Sequence, residues 1–162
     1  MNWKAAFLVQ ARSEDLIRRR LDDPAVEPSH RLHYLQMVTE KLAKGLLATD
    51  ADSGPPTPVH RAFVRLLQTL KDRSDIRRRL GFSDRVSFRR FIVSLLSTAE
   101  QIENLAPSAP GFTRPNPEYP WLDPATGQVQ APCDYLFPLL NPRNRKMIQL
   151  ESLIGSLVAL PM

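Results

Sequence analysis

Proline decides which parts of this chain can be helical. Of its 15 prolines, nine fall between Pro107 and Pro142. Each removes a backbone donor and fixes φ, so that stretch cannot continue a helix. Residues 3 to about 105 and 143 to 160 hold the remaining few prolines at segment ends and carry apolar residues at three- and four-residue steps. The pattern predicts an all-α fold, an antiparallel helical bundle with an ordered Pro- and aromatic-rich excursion before the last helix. At 162 residues with 43% hydrophobic content, the chain suits one domain over 1–162, with 106–142 as an insertion.

The first helix places Trp3, Phe7, Ala11, Ile17 and Leu21 near one stripe, with a polar turn at Arg12 to Asp15 expected to kink or thin it. A second helix from about Ser29 carries Leu32, Leu35, Val38, Leu42 and Leu46, with Glu40 and Lys44 spaced as a surface pair. Residues 49–58 read as a loop, and Thr57 with Pro58 as the cap and first turn of a third helix through His60, Phe63, Leu67 and Leu70. A short segment from Ser74 stops at Gly81. Ser83, followed by Asp84, is expected to cap a long helix striped by Phe88, Ile92, Leu95, Ala99 and Ile102, which Pro107 ends. Asn141 and Pro142 repeat the cap-then-proline signal before a final helix with Ile148, Leu150, Leu153, Ile154, Leu157 and Leu160.

The excursion holds Phe112, Tyr119, Trp121, Tyr135 and Phe137. Flexible linkers seldom carry so many large rings, so the segment is expected to dock on the helices, with a small β-hairpin around Thr126 and Gly127. The spare apolar width of the last helix, through Leu153 and Leu157, and the aromatics Tyr119, Trp121, Tyr135 and Phe137 are candidates for a partner interface.

The net charge of +5 comes from 22 Lys and Arg against 17 Asp and Glu, and it lies wholly in residues 1–105. Two Ile-Arg-Arg-Arg-Leu runs, residues 17–21 and 76–80, dominate it. The sharp reading is RNA or nucleotide phosphate contact through Arg18, Arg19, Arg78, Arg89, Arg143 and Arg145. The bland and weightier one is a solvated face neutralised by Asp22, Asp23, Asp72 and Asp75. No stretch approaches the roughly 18 apolar residues of a membrane span, and the apolar run after Met1 is too short for a secretory signal, so a cytoplasmic location without a membrane partner is expected. The single cysteine, Cys133, excludes an internal disulfide and a multi-thiolate zinc site. His30 and His33 lie three apart, but with Glu27, Glu40 and His60 they make a weak ligand set, and capping or surface roles outweigh a metal. No Gly-rich phosphate loop, nucleophile turn or paired-carboxylate motif occurs, so no catalytic residue, metal or cofactor is expected.

The run Tyr34-Leu35-Gln36-Met37-Val38-Thr39-Glu40-Lys41-Leu42-Ala43-Lys44-Gly45-Leu46-Leu47 resembles the second helix of HEPN domains, with an aromatic, a Gln, then Glu-Lys and an apolar continuation. The aromatic opening of the first helix and a third helix beginning near His60 are also similar, so the resemblance covers residues 3 to 70. It implies an antiparallel bundle, often a homo-oligomer or encoded beside a protein such as a nucleotidyltransferase. In some branches it implies a metal-independent ribonuclease using an Arg, often followed by Asn, with a His about five to seven positions later. Arg143-Asn144 matches the first half, yet the positions for the His hold Ile148, Gln149 and Leu150. The chemical means of activating a ribose hydroxyl is therefore missing. The expectation is a non-catalytic binding or assembly module acting through self-association or a co-encoded partner, as in a bacterial toxin–antitoxin or defence system. The alternative is a ribonuclease-type toxin or RNA-binding protein with an atypical active site.

Overall fold

The computed structural model describes residues 2–48, 61–106 and 113–160. Helix α1 spans Trp3–Arg20 and α2 Pro28–Leu47, followed by α3 (Ala62–Leu70), α4 (Ser74–Arg79), α5 (Arg85–Glu103) and α6 (Arg145–Val158). Between α5 and α6 lie two short antiparallel strands, β1 (Trp121–Leu122) and β2 (Val129–Gln130), and two 3-10 turns at Pro132–Asp134 and Pro138–Leu140. The all-helical bundle with its small hairpin is the architecture that the proline distribution predicts.

Helix α2 is the central element. It packs along α1 on one side and meets α3, α5 and α6 on others, because its apolar residues are spread over more than half its circumference. Leu32, Leu35, Val38, Leu42 and Ala43 are all buried. Gly45 lets α1 come close: a Cβ there would sit 2.7 Å from the Leu8 side chain. The core continues through Phe63, Leu67, Phe88, Ile92, Leu95, Ile102, Leu150, Leu153 and Ile154, the stripes expected of α3, α5 and α6. Leu153 and Leu157 belong to this core, so the apolar width of α6 is consumed within the chain, with Ile148 left 54% exposed.

Helix ends differ from their sequence signals in two places. Asp84, not Ser83, caps α5, its carboxylate accepting from the Ser87 amide at 2.8 Å. Asn144, not Asn141, caps α6, accepting from the Met147 amide at 3.1 Å, while Asn141 closes a local turn onto the Arg143 amide at 2.9 Å. The polar turn at Arg12 to Asp15 leaves α1 continuous, with Arg12 bonded to the end of α6, Glu14 to Gln10, and Asp15 to Arg18 and Arg19 on α1 itself. Gly81, at φ +77°, ends α4 as expected. The Gly81 and Phe82 amides donate to the Arg78 and Arg77 carbonyls, a closure that needs a left-handed residue. The 49–58 loop, Thr57, Pro58, His60, Pro107 and Phe112 lie outside the described residues.

Aromatic packing anchors the excursion. Trp121 meets Tyr135 edge-on at 5.1 Å and Phe137 at 6.1 Å, and the last two are 4.9 Å apart. Trp121 is 3% exposed and joins the core with Phe137 and Leu139. Tyr119, the fourth expected anchor, is 43% exposed. Asp123 closes the hairpin loop, accepting from the Ala125 amide and the Thr126 hydroxyl, and Gly127 supplies the positive φ of +67°. Burial on this scale predicts that Trp121→Ala lowers stability by about 3 kcal/mol. Leu136→Ala, at a side chain 94% exposed, should stay within about 0.5 kcal/mol. Urea unfolding of both variants measures the contrast, and equal small effects would show that the excursion is undocked.

Candidate binding cleft

Helix α1 buries an unusual set of residues, namely Ala11, Glu14, Asp15 and Arg18. Three of the four are ionisable, so partners must offset their desolvation. Arg18 is 6% exposed. Its guanidinium donates to Asp15 at 2.8 and 3.0 Å and to Glu151 of α6 at 3.0 Å. Glu151 also accepts from Arg31 of α2 at 3.1 Å, and Arg31 pairs with Asp22 at 2.5 Å. Arg19 donates to the second Asp15 oxygen at 2.8 Å. Two turns away, Arg12 donates to the Val158 carbonyl at 3.0 Å and to the Leu160 carbonyl, covering the open end of α6. Residues 18 and 12 of α1 thus meet residues 151 and 158 of α6, which makes the two helices antiparallel along a seam of arginines.

A cleft of about 760 Å³ opens beside the end of this seam, between α1, α2, α4 and α6. Ala5 and Leu8 of α1, Leu42 and Leu46 of α2, Ile76 of α4 and Leu157 of α6 give it an apolar lining. Lys4 and Arg12 stand on the α1 side, Arg73, Arg78 and Arg79 on the α4 side, and Asp75 is the one carboxylate among the lining residues. Arg73 holds Asp75 at 2.6 Å and lowers its carboxyl to about 2, so Asp75 stays ionised and offers no proton. Arg79 donates to the Ala159 carbonyl at 3.0 Å, a second arginine on the C-terminus of α6. Arg78 makes only a long bond, 3.4 Å, to the Ser74 carbonyl.

The candidate phosphate contacts do not share one surface. Arg18 is enclosed by its carboxylates and is a structural cation. Arg19 lies beside it, paired with Asp15. Arg78 is in the cleft, and Arg89 lies on α5, 3.7 Å from Asp72. Arg143 and Arg145 are exposed at the start of α6, about 20 Å along that helix from the cleft. Of the expected interface residues, Trp121, Phe137, Leu153 and Leu157 are buried in the chain's own core, and Tyr119 is exposed.

Two buried acids escaped the sequence reading. Glu103 of α5 caps α3, its Oε1 accepting from the Phe63 amide at 2.5 Å and the Val64 amide at 3.3 Å. Glu14 is 6% exposed. It accepts from Gln10 at 3.1 Å, lies 3.9 Å from Lys41, and its Oε2 is buried with no hydrogen bond. An acid inside an amphipathic stripe gives no sign of its depth in one sequence. Glu40 and Lys44 pair at 2.5 Å as expected. His33 stands 3.7 Å from Glu118, and burial lowers its imidazole below the ordinary 6.5. Among the described residues, no three His, Cys, Asp or Glu side chains gather as a metal site, and none of the helices is long and apolar enough to cross a membrane. Cys133 is exposed. No family model, curated protein or solved structure matches this chain.

Burial raises the Glu14 carboxyl above its ordinary 4.5, against the lowering effects of Lys41 and Gln10. The folded chain therefore holds this proton more tightly than the unfolded one, and folding loses stability as pH rises from about 4.5 through the folded value. Glu14→Gln should remove that loss, leaving a variant more stable than the parent near about pH 7 and no different below about pH 4.5. Urea unfolding across pH reads the difference. An unchanged profile would place the carboxylate in water.

Proposed function

We propose that the chain is a non-catalytic HEPN-like binding and assembly module whose binding surface is the arginine-rimmed cleft. The observation that carries this reading is the cleft's chemistry. Its residues offer aliphatic contact and fixed positive charge, while its one acid is held ionised by Arg73. General acid–base chemistry needs a group that exchanges protons near the working pH, and binding does not. The long antiparallel α1–α2 pair, which carries the Tyr34–Leu47 run, supports the HEPN-like reading. A co-encoded protein, such as a nucleotidyltransferase, or a second copy of the chain is the expected class of partner, in a toxin–antitoxin or defence setting.

The start of α6 supports the non-catalytic side. Asn144 is engaged as the α6 cap, Ile148 and Gln149 are exposed, and Leu150 is buried, so α6 offers no imidazole to Arg143 in the turn before it. Purified protein incubated with single-stranded RNA should give no cleavage above a protein-free control. Cleavage that persists through repurification and disappears in Arg143→Ala would overturn the reading in favour of a ribonuclease.

A further inference from the structure

Building on the binding-module reading, we propose that the cleft receives an acidic amphipathic helix of a partner protein, apolar face inward and carboxylates against the arginines on either side. Three properties of the cleft select this occupant. Its lining is aliphatic, with the half-buried Leu8 and Leu46 at its surface and the buried Leu42 and Ile76 beneath them. That matches leucine-type side chains, whereas single-stranded nucleic acid draws on aromatic faces for base stacking. Its charge is multiple and two-sided, with Lys4 and Arg12 on α1 and Arg73, Arg78 and Arg79 on the α4 side, and Asp75 is the one acid among the described lining residues. A single-headed amphiphile would satisfy one or two of these cations, while a helix with carboxylates flanking an apolar stripe can satisfy both sides.

The third property is preorganisation. Arg12 and Arg79 are already tied to the Val158 and Ala159 carbonyls, and Arg73 to Asp75. Their guanidiniums are thus oriented before a partner arrives, and less side-chain entropy is lost on binding. Arg12 and Arg79 also mask the negative end of the α6 dipole, which would otherwise repel an acidic segment. Among the described residues Arg78 has only its long contact to the Ser74 carbonyl, so it is the rim cation best placed to turn onto a ligand carboxylate.

Fluorescence anisotropy with a labelled synthetic peptide of about four helical turns, leucines along one face and glutamates on both flanks, tests the proposal. The full chain should bind it, and an isomer with the same residues scrambled out of amphipathic order should bind about tenfold more weakly. Arg78→Glu, shown folded by circular dichroism, should weaken binding about tenfold. Lys4→Glu, on the opposite wall, should do the same and serves if the first variant does not fold. Equal affinity for the scrambled isomer would reduce the effect to unspecific charge attraction and overturn the proposal. So would affinity untouched by both variants, or no binding at about 100 μM peptide. Tighter binding of a single-stranded RNA oligonucleotide, lost in the same variants, would replace the helix with RNA as occupant and leave the binding-module reading standing. Loss of a dimer in those variants by light scattering would assign the cleft to a second copy instead. RNA cleavage, by contrast, would remove the module reading itself.

Discussion

The contact between Arg18 of α1 and Glu151 of α6 is the interaction on which the arrangement of the first and last helices depends. Helix α1 brings little apolar surface to the core, since Ala11 is its one fully enclosed hydrophobic residue. Its place along α6 is set instead by arginines at positions 12, 18 and 19. Arg18 and Arg31 converge on Glu151 from two different helices, so this carboxylate fixes α1, α2 and α6 relative to one another. Ion pairs taken out of water recover little net free energy, because desolvation offsets most of the attraction. Their stronger effect is on alternatives. Sliding α6 by one turn would leave Glu151 without its arginines and Arg18 and Arg31 with Asp15 and Asp22 alone, a loss of about 2 kcal/mol for each charged hydrogen bond forgone.

The same seam shapes the cleft. Arg12 reaches over from α1 to the carbonyls at the end of α6 and lines the cleft beside Leu157. Arg79 meets the same helix end from α4. Both residues do structural work in the free protein while lining the opening. The remaining basic excess is more conventionally paired, as with Asp72 between Arg85 and Arg89 and Asp22 on Arg31.

The bundle itself was legible because period and punctuation agree in α2 and α5, where Leu32 to Leu46 and Phe88 to Ile102 keep helical spacing between clear breaks. The excursion was legible for a related reason, since Pro120 and the rings around it favour an ordered, non-helical path. Caps were misplaced by one residue at Asp84 and by three at Asn144, where neighbouring residues of equal capping ability compete. The cleft was not legible. Arg18 and Arg77 occupy equivalent positions in the two Ile-Arg-Arg-Arg-Leu runs, yet Arg18 is enclosed while Arg77 is half-buried against the Phe82 carbonyl. Part of the difference is the long-range partner of Arg18, Glu151, and a local pattern carries no information about a contact 133 residues away. Glu14 and Glu103 were missed likewise, their burial being decided by Lys41 and by the start of α3.

A double-mutant cycle on Arg18 and Glu151 is the most direct measurement of this account. With Arg18→Met and Glu151→Met compared singly and together by urea unfolding, each single change should cost about 2 kcal/mol by removing a charge-assisted hydrogen bond from a partly buried network. The double change should recover a large part of the summed loss, giving a coupling on the order of 2 kcal/mol. Two small, additive effects would contradict it, because they would mean that α1 is held on α6 by something other than the arginine seam.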